Sequence, residues 1–159
     1  MANFIDSNIT KMIINMAKQE RLDWFIKHNY MIQDDSAYWQ LLAAIWIDSE
    51  ACTPNLDKWI ILFSSKRRNR HKLMKKKDRE YWHSLPKTVQ AFRAINDNED
   101  IDKAISWSLD VNVCARLYPS KRIEVRYFPK KQIIAFFNRR REMEIIILNL
   151  DKVKHNDRT

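Results

Sequence analysis

The sequence predicts an α+β protein, with an N-terminal helical half packed on a C-terminal mixed, mainly antiparallel sheet. Apolar residues recur every three to four positions up to about residue 63, which is the helical period. After Pro86 they alternate with polar residues, which is the period of a strand. With 159 residues, the chain is long enough for one domain with its own core. We therefore expect a single domain over 1–159, with a helical half over 1–85, a sheet half over 86–150 and a polar tail over 151–159.

Three helices are predicted in the first half. An apolar stripe at positions 9, 12, 13, 16 and 17 continues through 22, 25 and 26, with Asp6 or Ser7 as its N-cap. A second helix over 37–47 follows the capping run that begins at Asp34. A third helix opens at Pro54 and contains the apolar residues up to position 63.

The second half reads as short strands around one helix. Asp110 is expected to cap a helix over 111–117, which Pro119 ends. The final strand is almost wholly apolar, which predicts burial on both of its faces. The expected strands are 89–93, 104–109, 122–128, 132–137 and 143–148.

The chain contains no glycine, although average usage of about 7% predicts roughly eleven. This absence excludes a phosphate-binding P-loop, a dinucleotide fingerprint and a nucleophile elbow, because each needs glycine where the backbone turns sharply or approaches a ligand. Turns that require a positive φ are expected to use asparagine or aspartate instead.

Charge and composition predict a soluble, cytoplasmic protein without a metal site. The longest apolar run, 41–47, is far shorter than the roughly 20 residues of a membrane span. The N-terminus lacks the organisation of a signal peptide. Cys52 and Cys114 form no CxxC motif and are expected to be buried thiols, and the four histidines have no metal-ligand spacing.

A basic segment over 66–79 accounts for much of the net charge of +9. One interpretation is a solvated helix or connector. The other is an anion-binding surface for nucleic acid or for an acidic protein. Trp82, just beyond this segment, is expected in the core rather than as a stacking platform. The candidate partner-binding residues are Lys66, Arg67, Arg68, Arg70, Lys75, Lys76, Lys77 and Arg79.

Paired polar residues mark two of the predicted strands. Residues two apart on a strand share a face, so Ser106 and Ser108 should point together, as should Glu142 and Glu144. Carboxylates beside an apolar strand are costly unless they have partners or lie at an open end. One alternative is that both glutamates are exposed and paired with arginines of 139–141.

An arginine on a first strand (Phe92-Arg93-Ala94), a Ser-x-Ser on a second (106–108) and a Glu-x-Glu opening a later strand (142–144) resemble the Arg–Ser–Glu class of NAD-dependent ADP-ribosyltransferases. The runs ISWSLDVNVCARLY and KKQIIAFFNRRREMEIII are similar to phage- and plasmid-encoded proteins of that fold. The similarity covers about 86–149. It implies an ADP-ribosyltransferase-like fold and NAD as co-substrate.

The resemblance implies a role for each matching residue. Arg93 would hold a phosphate or ribose of NAD, and Ser106 would orient the catalytic glutamate and the nicotinamide ribose. Trp107 and Ser108 would shape the nicotinamide pocket, although Trp107 could equally point into the core. Glu144 would be catalytic, stabilising the positive charge that develops as nicotinamide leaves. Glu142 would position or deprotonate the acceptor.

This sequence also departs from the family pattern. Ala94 stands where the family has glycine, and the acidic stretch over 95–104 could repel a dianionic cofactor or contact a basic target. The expected function is therefore a mono-ADP-ribosyltransferase of phage or mobile-element origin that modifies a host protein, which could belong to a nucleic-acid-bound complex. One alternative is an inactive scaffold that inhibits a host protein or nucleic-acid complex as an anti-defence factor. Direct nucleic-acid binding is permitted by the charge but not favoured.

Overall fold

The computed structural model describes residues 4–49, 55–138 and 140–148, and the chain divides into two compact units, Met1–Leu73 and Met74–Thr159. Predictions for Cys52, Pro54 and the tail over 151–159 lie outside the described residues. The described part of the first unit is helical, and that of the second unit is dominated by a sheet. An α+β protein is therefore confirmed. The division at Leu73 and Met74 falls inside the basic segment over 66–79.

Four α-helices form the described part of the first unit: α1 (Phe4–Asn15), α2 (Lys18–His28), α3 (Asp35–Asp48) and α4 (Leu56–Phe63). The prediction of one continuous first helix was wrong, because α1 ends at Asn15 and α2 begins at Lys18. Arg21 stabilises this break by donating from Nε to the Met16 carbonyl at 3.2 Å and from Nη2 to the Ile14 carbonyl at 3.0 Å. Its guanidinium thus satisfies carbonyls that a helix end leaves without an internal partner.

Asp6 or Ser7 was predicted to cap the first helix, but both lie within α1. Asp6 is only 3% exposed. Its two carboxylate oxygens accept from the backbone amides of Gln33 and Asp34, both at 2.8 Å. Asp34 in turn caps α3, because its side chain accepts from the amide of Ser36. The acidic side chains therefore join α1 to the start of α3.

The core of the helical unit is strongly aromatic. Trp39, Trp59 and Phe63 are at most 1% exposed, and Trp46 packs edge-on against Trp59 with ring centroids 4.9 Å apart. Burial of such large side chains supplies the main stabilisation of a small helical unit.

The described part of the second unit contains a five-stranded sheet with two α-helices, α5 (Lys76–Ser84) and α6 (Val111–Leu117). The strand order is β3-β1-β2-β5-β4, and the pairings between these described strands are all antiparallel. The strands are β1 (Thr88–Ala94), β2 (Ser106–Ser108), β3 (Ile123–Pro129), β4 (Ile133–Phe137) and β5 (Glu144–Ile147).

Helix α5 packs on the sheet at β4. Tyr81 stacks on Phe136 with ring centroids 4.4 Å apart, and the Trp82 indole donates to the Ile133 carbonyl at 2.9 Å. Trp82 was expected in the core, but it is only half-buried in this contact, because its indole lies at the surface of the sheet unit. The predicted burial of the last strand on both faces is also confirmed, because Ile145 and Ile146 are fully buried. Asp110 caps α6 through the amide of Asn112, as predicted.

Candidate functional site

The three residues of the Arg–Ser–Glu resemblance lie on three neighbouring strands. Arg93 is on β1, Ser106 on β2 and Glu144 at the start of β5, with β2 between the other two. Because β1 and β5 each pair with β2, the three residues lie close together, but the pairing of Phe92 with Ser108 puts the Arg93 side chain on the other face of the sheet from Ser106 and Glu144. The sequence places these residues 13 and 38 positions apart along the chain, and only the strand order brings them together.

Ser106 contacts Glu144 directly across the β2–β5 pair. The Ser106 hydroxyl donates to Glu144 Oε2 at 2.5 Å. Both residues are half-buried. A hydrogen bond to an ionised carboxylate is among the stronger ones in proteins, and it fixes the orientation of that carboxylate.

Arg93 fills the place where β1 and β2 stop pairing. The described register between the two strands is the single pair of Phe92 with Ser108. Farther along, the Arg93 side chain donates from Nη1 to the Ser106 carbonyl at 2.7 Å. Arg93 therefore holds the backbone of the residue whose hydroxyl holds Glu144.

Glu99 is the counter-charge of Arg93, and sequence reasoning missed it. Its Oε1 accepts from Arg93 Nε at 2.7 Å and also from Nη2. The Glu99 side chain is 6% exposed and that of Arg93 is 18% exposed. The acidic stretch over 95–104 was expected to face a cofactor or a target, but its central carboxylate pairs with an arginine of its own chain. An acidic residue a few positions after a strand arginine was the available signal.

Ser108 serves the backbone around the site. It is 8% exposed, and its hydroxyl donates to the Glu142 carbonyl at 2.7 Å and accepts from the Asp110 amide at 3.1 Å. These bonds join the end of β2 to the start of α6 and to the segment before β5. Because its hydroxyl is engaged on both sides, Ser108 shapes the site through the backbone.

The alternation rule predicted that Glu142 and Glu144 share a strand face. This prediction was wrong, because β5 begins only at Glu144 and Glu142 lies before the strand. Arg141 and Met143, on either side of Glu142, have φ values of 57° and 48°. The expectation that asparagine or aspartate would take such positions was met at Asn69 and Asn98 but was wrong at these two. Left-handed backbone at ordinary residues is strained, and such strain clusters at functional sites.

The surroundings hold this irregular segment in place. The Met143 amide donates to the Asn138 side-chain oxygen at 3.2 Å, and the Met143 carbonyl accepts from the Leu109 amide at 2.9 Å. Glu142 is half-buried. Within 4.0 Å of its carboxylate there is no lysine or arginine among the described residues, which leave out Arg139. The described part of the chain therefore gives no support to the alternative of an ion pair at Glu142.

Trp107 lies in the core, which was the alternative to a pocket role. It is 2% exposed, packs against Phe128 with ring centroids 5.0 Å apart, and lies 5.7 Å from the Arg126 guanidinium. It is paired in register with Ile145, whereas Ser106 is paired with Ile146, so its side chain points to the other face of the sheet from Ser106. Cys114 is buried, as predicted, and burial raises the pKa of its thiol.

The eight basic candidates are divided between the two units and differ in exposure. Arg67 is engaged, because it donates to Asp35 at 3.2 Å and to the Asn29 carbonyl at 2.9 Å and lies over the Tyr38 ring. Burial lowers the pKa of the Arg70 guanidinium. Arg79 is half-buried. The exposed members are Lys66 and Arg68 in the first unit and Lys75, Lys76 and Lys77 in the second.

Comparison with protein-family models, curated proteins and solved structures finds no match for this chain. Within residues 4–49, 55–138 and 140–148, no helix is long and apolar enough to cross a membrane. No group of three or more histidine, cysteine, aspartate or glutamate side chains in the same ranges could hold a metal ion. The geometry of the site is therefore the main basis for assigning a function.

Proposed function

We propose that this chain is an NAD-dependent mono-ADP-ribosyltransferase of phage or mobile-element origin that modifies a host protein. The observation that carries the proposal is the hydrogen bond from Ser106 to Glu144, with Arg93 on the Ser106 carbonyl. The resemblance to the Arg–Ser–Glu class rests on these three residues, and the fold brings them into one contact chain.

NAD would supply an ADP-ribosyl group whose bond to nicotinamide breaks, so that nicotinamide leaves with the bonding electrons and the ribose carbon becomes positively charged. The Glu144 carboxylate would stabilise that charge and accept a hydrogen bond from a ribose hydroxyl. Ser106 holds the carboxylate in one orientation before the reaction, and preorganised charge of this kind lowers a barrier most effectively. Glu142 would accept the proton that the acceptor gives up when it bonds to the ribose carbon.

The contacts fit this chemistry better at the ribose than at the phosphates. Glu144 is half-buried and oriented, which suits a group that must meet developing charge. Arg93 already gives Nε and Nη2 to Glu99 and Nη1 to the Ser106 carbonyl. The role that the resemblance implies for Arg93, holding a phosphate, is thus the weakest part of the assignment.

The test is labelling of a host extract with NAD that carries a label on its ADP-ribose part. The unmodified protein should label a discrete host protein, and Glu144→Gln should not. The glutamine keeps an oxygen that can accept from Ser106, so the fold should be retained while the negative charge is lost. A matched control is Glu80→Gln, on the exposed face of α5, which should label normally. Labelling that persists in Glu144→Gln would contradict the proposed role.

The inactive, target-binding scaffold is the second candidate, and the ion pair between Arg93 and Glu99 favours it because that pair neutralises the only cation assigned to NAD. The exposed lysines at 75–77 would then act in target binding. For this candidate, NAD should not raise the thermal unfolding temperature, and host-protein capture should survive Glu144→Gln but fail after Lys75, Lys76 and Lys77 are changed to Gln. For the transferase, NAD should stabilise the protein.

A further inference from the structure

We propose that Glu99 is a positioning residue that fixes the Glu144 carboxylate through Arg93 and Ser106. This inference rests on the proposed function, because it concerns the residue that would be catalytic. It adds a fourth member, from a loop, to three residues that all lie on strands.

The Glu99 side chain is buried and fully engaged. A carboxylate that is 6% exposed is costly unless its oxygens are hydrogen-bonded. Oε1 accepts from two nitrogens of Arg93, and Oε2 accepts from the Asn96 amide at 3.0 Å. The loop itself turns through Asn98, which has a φ of 63° and is a residue type that tolerates this conformation. The loop is thus built to present this carboxylate to Arg93.

Arg93 connects Glu99 to the backbone of β2. A guanidinium is planar, so fixing its Nε and Nη2 on Glu99 also fixes the direction of Nη1. Nη1 donates to the Ser106 carbonyl, where the β1 and β2 backbones no longer pair. The Ser106 hydroxyl then donates to Glu144. Each contact in the chain from Glu99 to Glu144 is a direct hydrogen bond.

The ion pair with Glu99 occupies the edge of Arg93 that a ligand phosphate would need. The Nε–Nη2 edge of arginine is one that holds a carboxylate or phosphate, and here it faces Glu99. Giving that edge to a phosphate would leave a buried carboxylate without its cation. Arg93 therefore positions the backbone of β2, and its positive charge is neutralised by Glu99.

The experiment compares the unmodified protein with Glu99→Gln, with Asp102→Asn as the matched control. Asp102 belongs to the same acidic loop, but its carboxylate pairs with Arg126 in an exposed ion pair, so its loss should change nothing. Nicotinamide release from NAD is measured as kcat and KM. For Glu99→Gln we expect kcat to fall about tenfold to a hundredfold, as small misplacements of catalytic groups do. We expect KM to change by less than about threefold.

A second variant tests whether Glu99 acts through Arg93. In an Arg93→Ala background, adding Glu99→Gln should lower kcat no further, because the connection to Ser106 is already lost. An independent further loss would contradict the proposal. A lower KM with an unchanged kcat in Glu99→Gln would also overturn it, since Glu99 would then be a competitor of the NAD phosphates.

Amide hydrogen exchange separates this inference from the proposed function. The Ile147 amide donates to the Ile105 carbonyl at 2.7 Å, beside Ser106, and the Lys130 amide donates to the Lys87 carbonyl at 2.8 Å, at the far end of β1. In Glu99→Gln, exchange at Ile147 should accelerate about tenfold while that at Lys130 stays unchanged. If the unmodified protein releases no nicotinamide, the proposed function fails and the exchange rates alone decide the inference. Equal rates at Ile147 in both proteins would contradict it.

Discussion

The helical unit and the sheet unit both bury charged side chains, but the buried charges serve different ends. In the helical unit, Asp6 is tied to two backbone amides at the start of α3, and Arg67 is tied to Asp35 and to a carbonyl. These contacts join one part of the helical unit to another and involve no residue of the candidate site. In the sheet unit, the contacts that begin at Glu99 end on Glu144, which is half-buried.

The two units also differ in which residue types adopt a left-handed backbone conformation. The segment before β5 has left-handed residues on both sides of Glu142, at positions where the chain has no glycine to relieve the strain. The helical unit has its described left-handed residue at Asn69, a type that accepts this conformation. Strain and an oriented carboxylate thus occur together in the segment before β5, as the proposed site requires, whereas the contacts of Asp6 and Arg67 in the helical unit are explained by stability alone.

The largest expected effect is that of Arg93→Ala on the sheet unit. Removing the cation leaves Glu99 buried without its partner, which costs about 3–5 kcal/mol in the free energy of unfolding. Urea denaturation at neutral pH measures it. The double variant Arg93→Ala with Glu99→Ala should recover part of the loss, because no buried charge remains. A single-variant loss below about 1 kcal/mol would show that the pair is not buried in solution.

A somewhat smaller loss is expected in the helical unit for Asp6→Ala. The variant leaves the amides of Gln33 and Asp34 without their acceptor, and charged hydrogen bonds of this kind contribute about 3 kcal/mol together. Nicotinamide release below the unfolding transition should not change. Asp23→Ala removes only an exposed ion pair with Lys58 and should leave the unfolding transition where it was. Loss of nicotinamide release in folded Asp6→Ala would contradict the division of roles between the units.

The alkaline pH dependence of the helical unit should depend on Tyr38. Burial raises the pKa of its phenol to about 12, from an ordinary value of 10.0, and its hydroxyl donates to the Leu62 carbonyl at 2.7 Å. Between these two values the unfolded chain loses the proton while the folded chain keeps it. Stability that is fully present below pH 10 is therefore lost as the pH rises towards 12.

Unfolding of Tyr38→Phe measured beside the unmodified protein at pH 8 and pH 11 tests this directly. The phenylalanine variant should be less stable at pH 8, by about 1 kcal/mol for the lost hydrogen bond, and the gap should narrow at pH 11. A gap that stays constant over this interval would show that the phenol titrates normally.

The smallest expected effect is a gain in stability on replacing Arg141 by glycine. Left-handed backbone costs an ordinary residue about 1–2 kcal/mol. Glycine avoids this cost but loses more backbone entropy on folding, so a net gain of about 0.5–1 kcal/mol in the free energy of unfolding is expected. Lys11→Gly, at an exposed helical position, should instead lose about 1 kcal/mol. Loss of stability in both variants would mean that Arg141 is not held in a left-handed conformation.

Much of the fold could be predicted from the sequence because periodicity is a local signal. The helix over 111–117 was placed within its observed bounds, and all five strands were found within a few residues of their ends. The break between α1 and α2 was missed because the apolar stripe continues across it, and periodicity does not show that the Arg21 side chain binds the carbonyls five and seven residues before it.

The candidate site could be predicted only through resemblance. The meeting of Arg93, Ser106 and Glu144 depends on the strand order, which no local pattern encodes. Glu99 was missed because its pairing with Arg93 depends on a turn at Asn98 rather than on strand alternation. The failure of alternation between Glu142 and Glu144 has the same origin, since one left-handed residue between them changes which way the side chains point.

The central claim is that the carboxylate held by Ser106 acts on NAD, and nicotinamide release by the purified chain tests it most directly. The measurement compares the unmodified protein with Glu144→Gln and with Glu80→Gln, at equal folded concentration. We expect release by the unmodified protein and by Glu80→Gln at the same rate, and a loss of about a hundredfold or more in Glu144→Gln. Equal release by all three proteins, or none by any of them, would contradict the account.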